Sequence, residues 1–247
     1  MRKVREQLAP TGVLRAGINM SNFLLVNGND SNGSGSTNDT LRGVSPDMAQ
    51  AIAKELGVGV ELITYSGPGL VADAALNNEW DIANIAAESE RAKTIHFSPA
   101  YCEIQATYLV PANSSLRSVS DVDQAGNVIA VKERAAYDLW LTENLKHASL
   151  KKYPSMDASF DQFVEQSLDA LAGLRPRLLE DKARLAGSVV FDDSFTAVQQ
   201  SVGCRQGKPE AAAFLHEFVM QSVRSGFIAS LISKHGVEGK LSVAQHA

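Results

Sequence analysis

The sequence has few of the residues that stabilise small disulfide-rich domains or bind nucleic acid. Its 247 residues include two cysteines, Cys102 and Cys204, and only 6% aromatic residues. Two scattered cysteines are typically free, and a disulfide between them is the alternative. The 23 lysines and arginines are outnumbered by 28 acidic residues and form no basic stripe interleaved with aromatics. This composition argues against nucleic-acid binding.

Long apolar runs, metal-ligand spacings and common enzyme fingerprints are also missing. No apolar run approaches the roughly 18 residues that a membrane span needs. The five histidines show no ligand spacing with cysteines or acids, so we expect neither a metal nor another cofactor. No Ser-His-Asp order, phosphate loop or dinucleotide glycine pattern occurs. With 45% hydrophobic residues, the chain has enough apolar side chains for one large core or two modest ones.

The chain does contain alternating strand-like and helix-like segments, which favour an α/β fold with parallel sheets. Ser45, Pro46 and Asp47 predict a helix start, with Ser45 as the cap, and Gly57 ends that helix. Strands are predicted at residues 58–62, 128–131, 149–153 and 168–172, and helices at 70–76, 135–145, 160–166 and 176–185. Residues 27–40 are rich in Asn, Gly and Ser, which predicts a mobile hairpin tip.

The most informative stretch covers residues 80–101. An apolar run at residues 82–87 predicts a buried strand, and a charged segment from Glu88 to Arg91 follows it. We expect Ser89 to cap a short helix there. Its N-terminus, together with Arg91, would then suit an anion just beyond the carboxyl end of a strand. Pro99, in the sequence Phe-Ser-Pro-Ala-Tyr that closes the stretch, interrupts any helix.

This order resembles the type II periplasmic solute-binding proteins, specifically the polar amino-acid binding family, bacterial extracellular solute-binding family 3. The resemblance implies an α/β fold of two lobes joined by two hinge crossovers. Lobe one is predicted at residues 1–104 and 196–247, and lobe two at 105–195. The implied function is that of a monomeric, non-enzymatic solute-binding protein. It captures a small carboxylate-bearing solute between the lobes and delivers it to the membrane permease of an ABC importer.

The implied location is the periplasm. The N-terminus carries the positive charge of a signal peptide but no apolar region after it. Two alternatives therefore stay open at this point: a signal was removed from the sequence, or the protein works inside the cell.

The resemblance also implies ligand-binding residues. Arg91 would grip the solute carboxylate with both guanidinium N–H groups. The other candidates are Asn19, Asn22, Phe23, Ala86, Glu88 and Gln199 around the first lobe's strands, and Arg134, Ala135, Ala136 and Arg175 in the second lobe. The backbone N–H groups of Ala135 and Ala136 are expected to hold an anion at a helix start.

Two departures from the family pattern bear on specificity. Glu88 replaces the usual threonine, and it would accept a ligand amine or hydroxyl, pair with Arg91, or act as a general acid. The aspartate that usually pairs with a ligand ammonium is absent after the strand at 168–172, and Arg175 stands nearby. Amino acids or their derivatives remain the solute class that the resemblance implies, and the missing acid shifts the expectation towards an organic acid or an amino acid whose amine is held by Glu88. The rival interpretation is a cyclohexadienyl or arogenate dehydratase-like enzyme on the same fold, with Glu88 as its acid.

Overall fold

The structure is a computed structural model that describes residues 1–29 and 41–246. Most of the predicted hairpin tip, residues 30–40, lies outside the described residues. The chain divides into two compact units, unit 1 with Met1–Glu103 and Gln199–Ala247, and unit 2 with Ile104–Val198. It passes from one unit to the other within strand β6 (Ile95–Val110) and returns within strand β11 (Thr196–Arg205). The division into lobes that move about hinges stays a prediction.

Unit 1 is built on the strand order β4-β1-β5-β11. The first three strands are parallel, and β11 runs antiparallel to β5. Its elements are α1 (Arg2–Leu8), β1 (Val13–Asn19), β2 (Gly28–Asn29), β3 (Leu41–Arg42), α2 (Val44–Leu56), β4 (Gly59–Tyr65), α3 (Pro68–Ala74), β5 (Ile82–Ala86), α4 (Ser89–Ala92), α8 (Pro209–Arg224), α9 (Phe227–Lys234) and β12 (Ser242–Val243), besides its parts of β6 and β11. Parallel neighbours bring the carboxyl ends of β1, β4 and β5 to one edge.

The start of α2 differs from the prediction. The N-cap is Gly43 and Ser45 is the second helical residue, so the assignment of Ser45 as the cap is wrong. A side chain at Gly43 would place its Cβ 2.2 Å from the carbonyl oxygen of Leu25, and the same carbonyl accepts the N–H of Ser45. Only glycine fits that close approach of two backbone segments. The predicted end is confirmed, since Gly57 is left-handed with φ 66°.

The site-bearing strand β5 is buried along its whole length. On one face, Ala83 and Ile85 pack with Val71 and the fully buried Trp80, whose indole N–H donates to the Val71 carbonyl at 2.8 Å. Before the strand, Asp81 accepts two hydrogen bonds from the Arg15 guanidinium at 2.9 and 3.0 Å. The packing of Trp80 and the Arg15–Asp81 pair fix the register of β5 against β1, and so the position of its carboxyl end.

Unit 2 has the strand order β6-β9-β7-β8, in which β7, β8 and β9 are parallel and β6 is antiparallel to β9. Its elements after β6 are a short 3-10 turn (Val119–Asp121), β7 (Val128–Lys132), α5 (Ala136–Asn144), β8 (Ser149–Tyr153), α6 (Met156–Glu165), β9 (Ala170–Leu174), α7 (Arg175–Arg184) and β10 (Val189–Val190). Phe160, Phe163, Leu171 and Leu178 form the centre of its core. The helices α5, α6 and α7 all begin at the carboxyl edge of the three parallel strands.

The two cysteines are free and buried. In unit 1, Gln206 N–H donates to the Thr94 carbonyl and Val202 N–H to the Ser98 hydroxyl, which gives the register of β11 against the first half of β6. This register places Cys204 beside the start of β6, and Cys102 lies several residues further along that strand. The two thiols therefore lie apart along this strand pair, and the alternative of a disulfide between them is wrong. Burial raises the pKa of both thiols.

Candidate functional site

One edge of unit 1 collects most of the residues predicted for the first lobe. Asn19 ends β1 and Ala86 ends β5, and these strands are adjacent and parallel. Gln199 lies at the same corner, because its carbonyl accepts the N–H of Ala87 at 2.9 Å. Glu88 and Arg91 follow within α4 and its N-cap. The strand order alone thus brings together side chains that are far apart in the sequence.

Arg91 is buried at this edge, with 4% of its surface exposed. Its Nη1 donates to the carbonyl of Ala86 at 2.9 Å, so the side chain folds back under its own loop. A carboxylate bound to this guanidinium would be largely removed from water, where charge-assisted hydrogen bonds are strongest. Its role as the carboxylate grip stays a prediction.

The helix that carries Arg91 is shorter than expected. It has four residues, Glu88 is its N-cap, and no side-chain capping hydrogen bond is present. Ser89 is the first helical residue, so the predicted capping role of Ser89 is wrong. A single turn aligns few peptide dipoles, and the anion-attracting charge at this edge therefore comes from the Arg91 side chain.

Glu88 lines a cavity of about 350 Å³ in unit 1. The other lining residues include His96, Phe97 and Gln206. Glu88 is half-buried and His96 is exposed. A carboxyl group and an imidazole on one small cavity are compatible both with binding a polar solute and with proton transfer.

The polar residues that follow β1 serve their own turn. Asn19 Oδ1 accepts from the N–H and hydroxyl of Ser21, at 3.1 and 2.9 Å, and Asn22 Oδ1 accepts the N–H of Leu24 at 3.2 Å. These asparagines would meet a solute through their amide N–H groups. Phe23 is half-buried, and its role as an apolar wall stays a prediction.

Gln199 is also held within unit 1. Its side-chain amide donates to Glu103 Oε2 at 2.9 Å. The amide oxygen is the end of this side chain that suits a donor on a solute.

In unit 2, a tight turn at residues 132–135 connects β7 to α5. Ala135 N–H donates to the carbonyl of Lys132 at 3.3 Å, and Arg134 adopts a left-handed conformation with φ 58°. The N–H of Ala135, predicted to hold an anion, is thus used inside the turn, so this part of the prediction is wrong. Arg134 is exposed at the tip of the turn.

The first turn of α5 presents backbone donors. Its N-cap is Ala135, which has no side-chain acceptor to offer. Among residues 1–29 and 41–246, no acceptor pairs with the N–H groups of Ala136 and Tyr137. Unpaired N–H groups at a helix start attract anions. The predicted donor pair therefore moves one residue along the chain, from Ala135 and Ala136 to Ala136 and Tyr137.

Asp138, in the same turn of α5, is a residue that the sequence interpretation missed. It is 1% exposed, and its Oδ2 accepts the N–H of Arg134 at 2.7 Å. Its Oδ1 lies 2.9 Å from Lys152 Nζ, and the hydroxyl of Thr142 is a further partner. An acid in the first turn of a predicted helix was the available signal.

Arg175 has a structural role in place of the predicted ligand contact. Its guanidinium donates to Gln105 Oε1 at 2.7 Å and to the carbonyls of Phe191, Asp192 and Asp193 at 2.6–3.1 Å. Three of these hydrogen bonds attach the segment after β10 to the start of α7, and the one to Gln105 attaches β6. They leave Arg175 little capacity to bind a solute anion, so we remove it from the candidate set.

Other charges at this edge of unit 2 are paired internally. Arg177, in the first turn of α7, contacts Asp157 at 2.6 Å and Asp181 at 3.1 Å. The hydrogen bond from Arg177 lowers the pKa of Asp157. Burial raises the pKa of Asp181, against the opposing effect of Arg177 and Arg184. The pair with Asp157 joins α6 to α7, whereas the pair with Asp181 lies within α7.

The comparisons with known proteins agree with this architecture. The family model for bacterial extracellular solute-binding proteins, family 3, matches residues 30–238. The chain therefore belongs to this family. Its mixed α/β fold is that of the type II periplasmic binding proteins, as the solved structures below illustrate.

Three solved structures show the extent of the likeness. A mutant of the arginine-binding protein ArgBP from T. maritima is 19% identical, with 96% of this chain and 100% of that chain covered and a TM-score of 0.72. An amino acid ABC transporter substrate-binding protein from Streptococcus pneumoniae, bound to L-arginine, is 19% identical over 93% and 97%, with a TM-score of 0.73. An ancestral amino acid-binding protein, described as a precursor of cyclohexadienyl dehydratase, is 26% identical over 93% and 97%, with a TM-score of 0.70.

Within the described ranges, no group of three or more His, Cys, Asp or Glu side chains is arranged to hold a metal ion. Nor does any described helix have the length and apolar character to cross a membrane.

Proposed function

We propose that this protein is the solute-binding component of an ABC importer and captures a small carboxylate-bearing solute. The observation that carries the proposal is the buried Arg91 at the carboxyl end of β5, in a chain of a solute-binding family. Each unit carries an anion-attracting group of its own. Unit 1 supplies the guanidinium, and unit 2 supplies the open N–H groups of Ala136 and Tyr137.

The chemistry of the two halves supports an anionic solute. A guanidinium presents parallel donors that match the two oxygens of a carboxylate, and it stays charged at any physiological pH. Helix-start N–H groups stabilise a second negative group or share the first. Arg134, exposed beside these N–H groups, adds a further positive charge. Asn22 and Phe23 would complete the unit 1 side with an amide and an apolar face.

The solute class divides between amino acids and organic acids. Two structural neighbours are an arginine-binding protein and a protein bound to L-arginine, which supports an amino acid. One observation argues against a plain amino acid, namely that no acidic residue stands at the end of β9. The strand ends at Leu174, which is 7% exposed, and α7 begins directly with Arg175. An ammonium needs a nearby acceptor when it leaves water. In this proposal Glu88 supplies that acceptor if the solute carries an amine.

The remaining parts of the proposal concern place and partners. The family is described as extracellular, which supports a periplasmic protein that meets a membrane permease. Closure of two lobes around a solute is a common way for such a protein to signal that it is loaded. We also propose that the protein is a monomer, because one chain contains both compact units.

A thermal-shift screen tests this function. The panel contains the proteinogenic amino acids, small dicarboxylic acids and aromatic keto acids, with the corresponding amides and alcohols as controls. A ligand that binds only the folded state stabilises it by about 2.7 kcal/mol at a hundredfold excess over Kd. Stabilisation by carboxylates but not by their amides supports the proposal. No shift with any carboxylate at millimolar concentration contradicts it.

A dehydratase-like enzyme is the second candidate. Two observations favour it: Glu88 and His96 line one cavity, and a 26%-identical neighbour is described as a precursor of cyclohexadienyl dehydratase. Loss of water from such a substrate needs an acid placed at the leaving hydroxyl.

The Glu88→Gln variant separates the two candidates. The amide keeps the shape of the side chain but has no proton to deliver. We expect neither wild type nor variant to convert prephenate or arogenate, measured by product absorbance. Turnover by wild type with a loss of about 10²–10⁴-fold in the variant would replace transport with catalysis.

A further inference from the structure

The turn before α5 has a backbone conformation that its residue disfavours. Arg134 is the third residue of the turn at 132–135 and has φ 58°. Glycine or asparagine normally occupies a turn position with positive φ, because a Cβ crowds the backbone there. Such a residue keeps this conformation only where the surrounding structure enforces it.

The buried carboxylate of Asp138 provides that enforcement. It accepts the N–H of Arg134 at 2.7 Å, which fixes the left-handed residue from the first turn of the helix. Lys152, from the neighbouring strand β8, contacts the other carboxylate oxygen at 2.9 Å, and its amine also donates to Thr142 at 2.9 Å. The side chain of Asp138 is 1% exposed and that of Lys152 is 37% exposed. A buried carboxylate is tolerated when it is paired and hydrogen-bonded in this way.

We propose that Asp138, held by Lys152, is the positioning residue of the anion half-site in unit 2. Through the Arg134 N–H it sets the turn, and the turn sets where Arg134 and the N–H groups of Ala136 and Tyr137 stand. This inference rests on the proposed function, because it concerns the same half-site. Asp138 touches no solute in this proposal and acts through the turn.

The hydrogen bond to the Arg134 N–H requires only an acceptor oxygen at residue 138. The negative charge of Asp138, in contrast, opposes the binding of an anion. A negative charge within one helical turn of the donors repels an incoming anion, and Lys152 offsets that repulsion. Asp138→Asn keeps an oxygen for the Arg134 N–H and removes the charge; its amide NH₂ then faces Lys152, which keeps the Thr142 hydroxyl as a partner. Asp138→Ala removes both. A positioning role therefore predicts that asparagine rescues what alanine loses.

The experiment compares Asp138→Ala, Asp138→Asn and a matched control, Asp123→Ala. Asp123 also holds backbone N–H groups beside α5, those of Lys146, His147 and Ala148, but at the opposite end of the helix. Calorimetry measures Kd for L-arginine, L-glutamate, succinate and phenylpyruvate, and thermal unfolding gives Tm for each variant. We expect Asp138→Ala to raise Kd about tenfold or more, the loss of one well-placed hydrogen bond. Asp138→Asn and Asp123→Ala should stay within about threefold of wild type, although Asp123→Ala also lowers Tm.

Other outcomes overturn the proposal. An unchanged Kd in Asp138→Ala removes the positioning role. An equal loss in Asp123→Ala shows that affinity follows stability alone. A loss in Asp138→Asn as large as in Asp138→Ala shows that the charge, and not the hold on the turn, matters.

A ligand-free measurement separates this inference from the proposed function. If wild type binds none of the four probes, the proposed function fails for these solutes. Amide hydrogen exchange of Arg134 and Ala135, resolved by NMR, then decides the positioning role. Faster exchange in Asp138→Ala than in wild type, Asp138→Asn and Asp123→Ala supports it, and equal rates overturn it.

Discussion

The carboxyl edges of the two units have different kinds of anion-attracting group. In unit 1 the positive group is a side chain, Arg91, that is 4% exposed and already donates to the Ala86 carbonyl. In unit 2 the donors are backbone N–H groups at the start of α5, beside an exposed arginine in a left-handed turn. The edge of unit 1 therefore has a buried positive charge, whereas the edge of unit 2 has backbone N–H groups that point in fixed directions.

This difference predicts a division of labour. A buried guanidinium has already lost most of its hydration in the folded protein, so binding an anion there costs little further desolvation. Backbone donors carry only partial charge and depend on position, which makes them sensitive to the Asp138 contact. We therefore expect Arg91 to set the affinity of unit 1 for an anion, and the position of the backbone N–H groups to decide anion binding by unit 2.

Replacing Arg91 should have the largest effect on binding. Arg91→Ala is expected to lose about 2–5 kcal/mol of binding free energy, because the solute carboxylate is left without its partner in a desolvated place. Arg91→Lys keeps the charge without the paired donors and should fall in between. Calorimetry with the best solute from the thermal screen measures both, and circular dichroism checks folding. An affinity of Arg91→Ala equal to wild type would show that Arg91 does not bind the solute carboxylate.

Arg175→Ala is the contrasting arginine variant. Its loss leaves the carbonyls of Phe191 and Asp192 without this donor, while the Asp193 carbonyl keeps the Thr107 hydroxyl, and this should lower the free energy of unfolding by about 1–3 kcal/mol. Solute affinity should not change. Urea unfolding and calorimetry on the same preparation measure the two quantities. A large loss of affinity with unchanged stability would restore Arg175 to the site.

Much of the fold could be predicted from local sequence patterns. The strand at 149–153 has the predicted limits, and the helix predicted at 135–145 runs over Ala136–Asn144. These elements depend on apolar periodicity and on glycine or proline punctuation, which are local signals. Helix α1 (Arg2–Leu8) was not predicted, because its charged sequence carries only two buried residues, Val4 and Leu8.

The errors at the site arise from contacts between distant segments. Asp138 matters because Lys152 of the next strand lies beside it, and the sequence gives no sign of that pairing. Arg175 donates to backbone carbonyls near residue 192. Every residue has a backbone carbonyl, so the residue types do not show which one accepts the hydrogen bond. Gly43 displaces the expected cap at Ser45 because the Leu25 carbonyl passes close to it. These three misses are non-local backbone or charge contacts, whereas the misses at Ala135 and Ser89 are local, within a turn and at a helix start.

Arg134→Gly tests the geometric role of unit 2. Glycine accepts φ 58° without strain, so we expect Tm to be unchanged or higher, and Kd to rise about tenfold as the exposed guanidinium is lost. The matched control is Ser167→Gly, since Ser167 is also left-handed, with φ 50°, but lies before β9 at the opposite edge of unit 2. It should stabilise without an effect on affinity. Equal affinities of both variants would show that Arg134 does not meet the solute.

The smallest expected effect concerns Tyr65, the last residue of β4 in unit 1. Its hydroxyl donates to Glu79 at 3.0 Å, and burial, reinforced by this hydrogen bond, raises its pKa to about 12 from 10.0. A raised pKa means that the fold favours the neutral phenol. Its contribution to stability is therefore complete below pH 10 and is lost as the pH rises towards 12.

The Tyr65→Phe variant isolates this contribution. At pH 8 wild type should be more stable than the variant by about 0.5–1 kcal/mol, the net value of one partly exposed hydrogen bond. At pH 11.5 the difference should shrink, because the unfolded wild type gains by ionising Tyr65 and the variant has no such group. The other four tyrosines are common to both proteins and cancel. Urea unfolding at the two pH values measures the difference. Wild type and variant should bind the solute equally well at pH 8, because Tyr65 stabilises the fold of unit 1 and Arg91 binds the solute. A lower affinity of Tyr65→Phe would show that the phenol belongs to the site. The anion-binding edge of unit 1 would then depend on more than its buried charge.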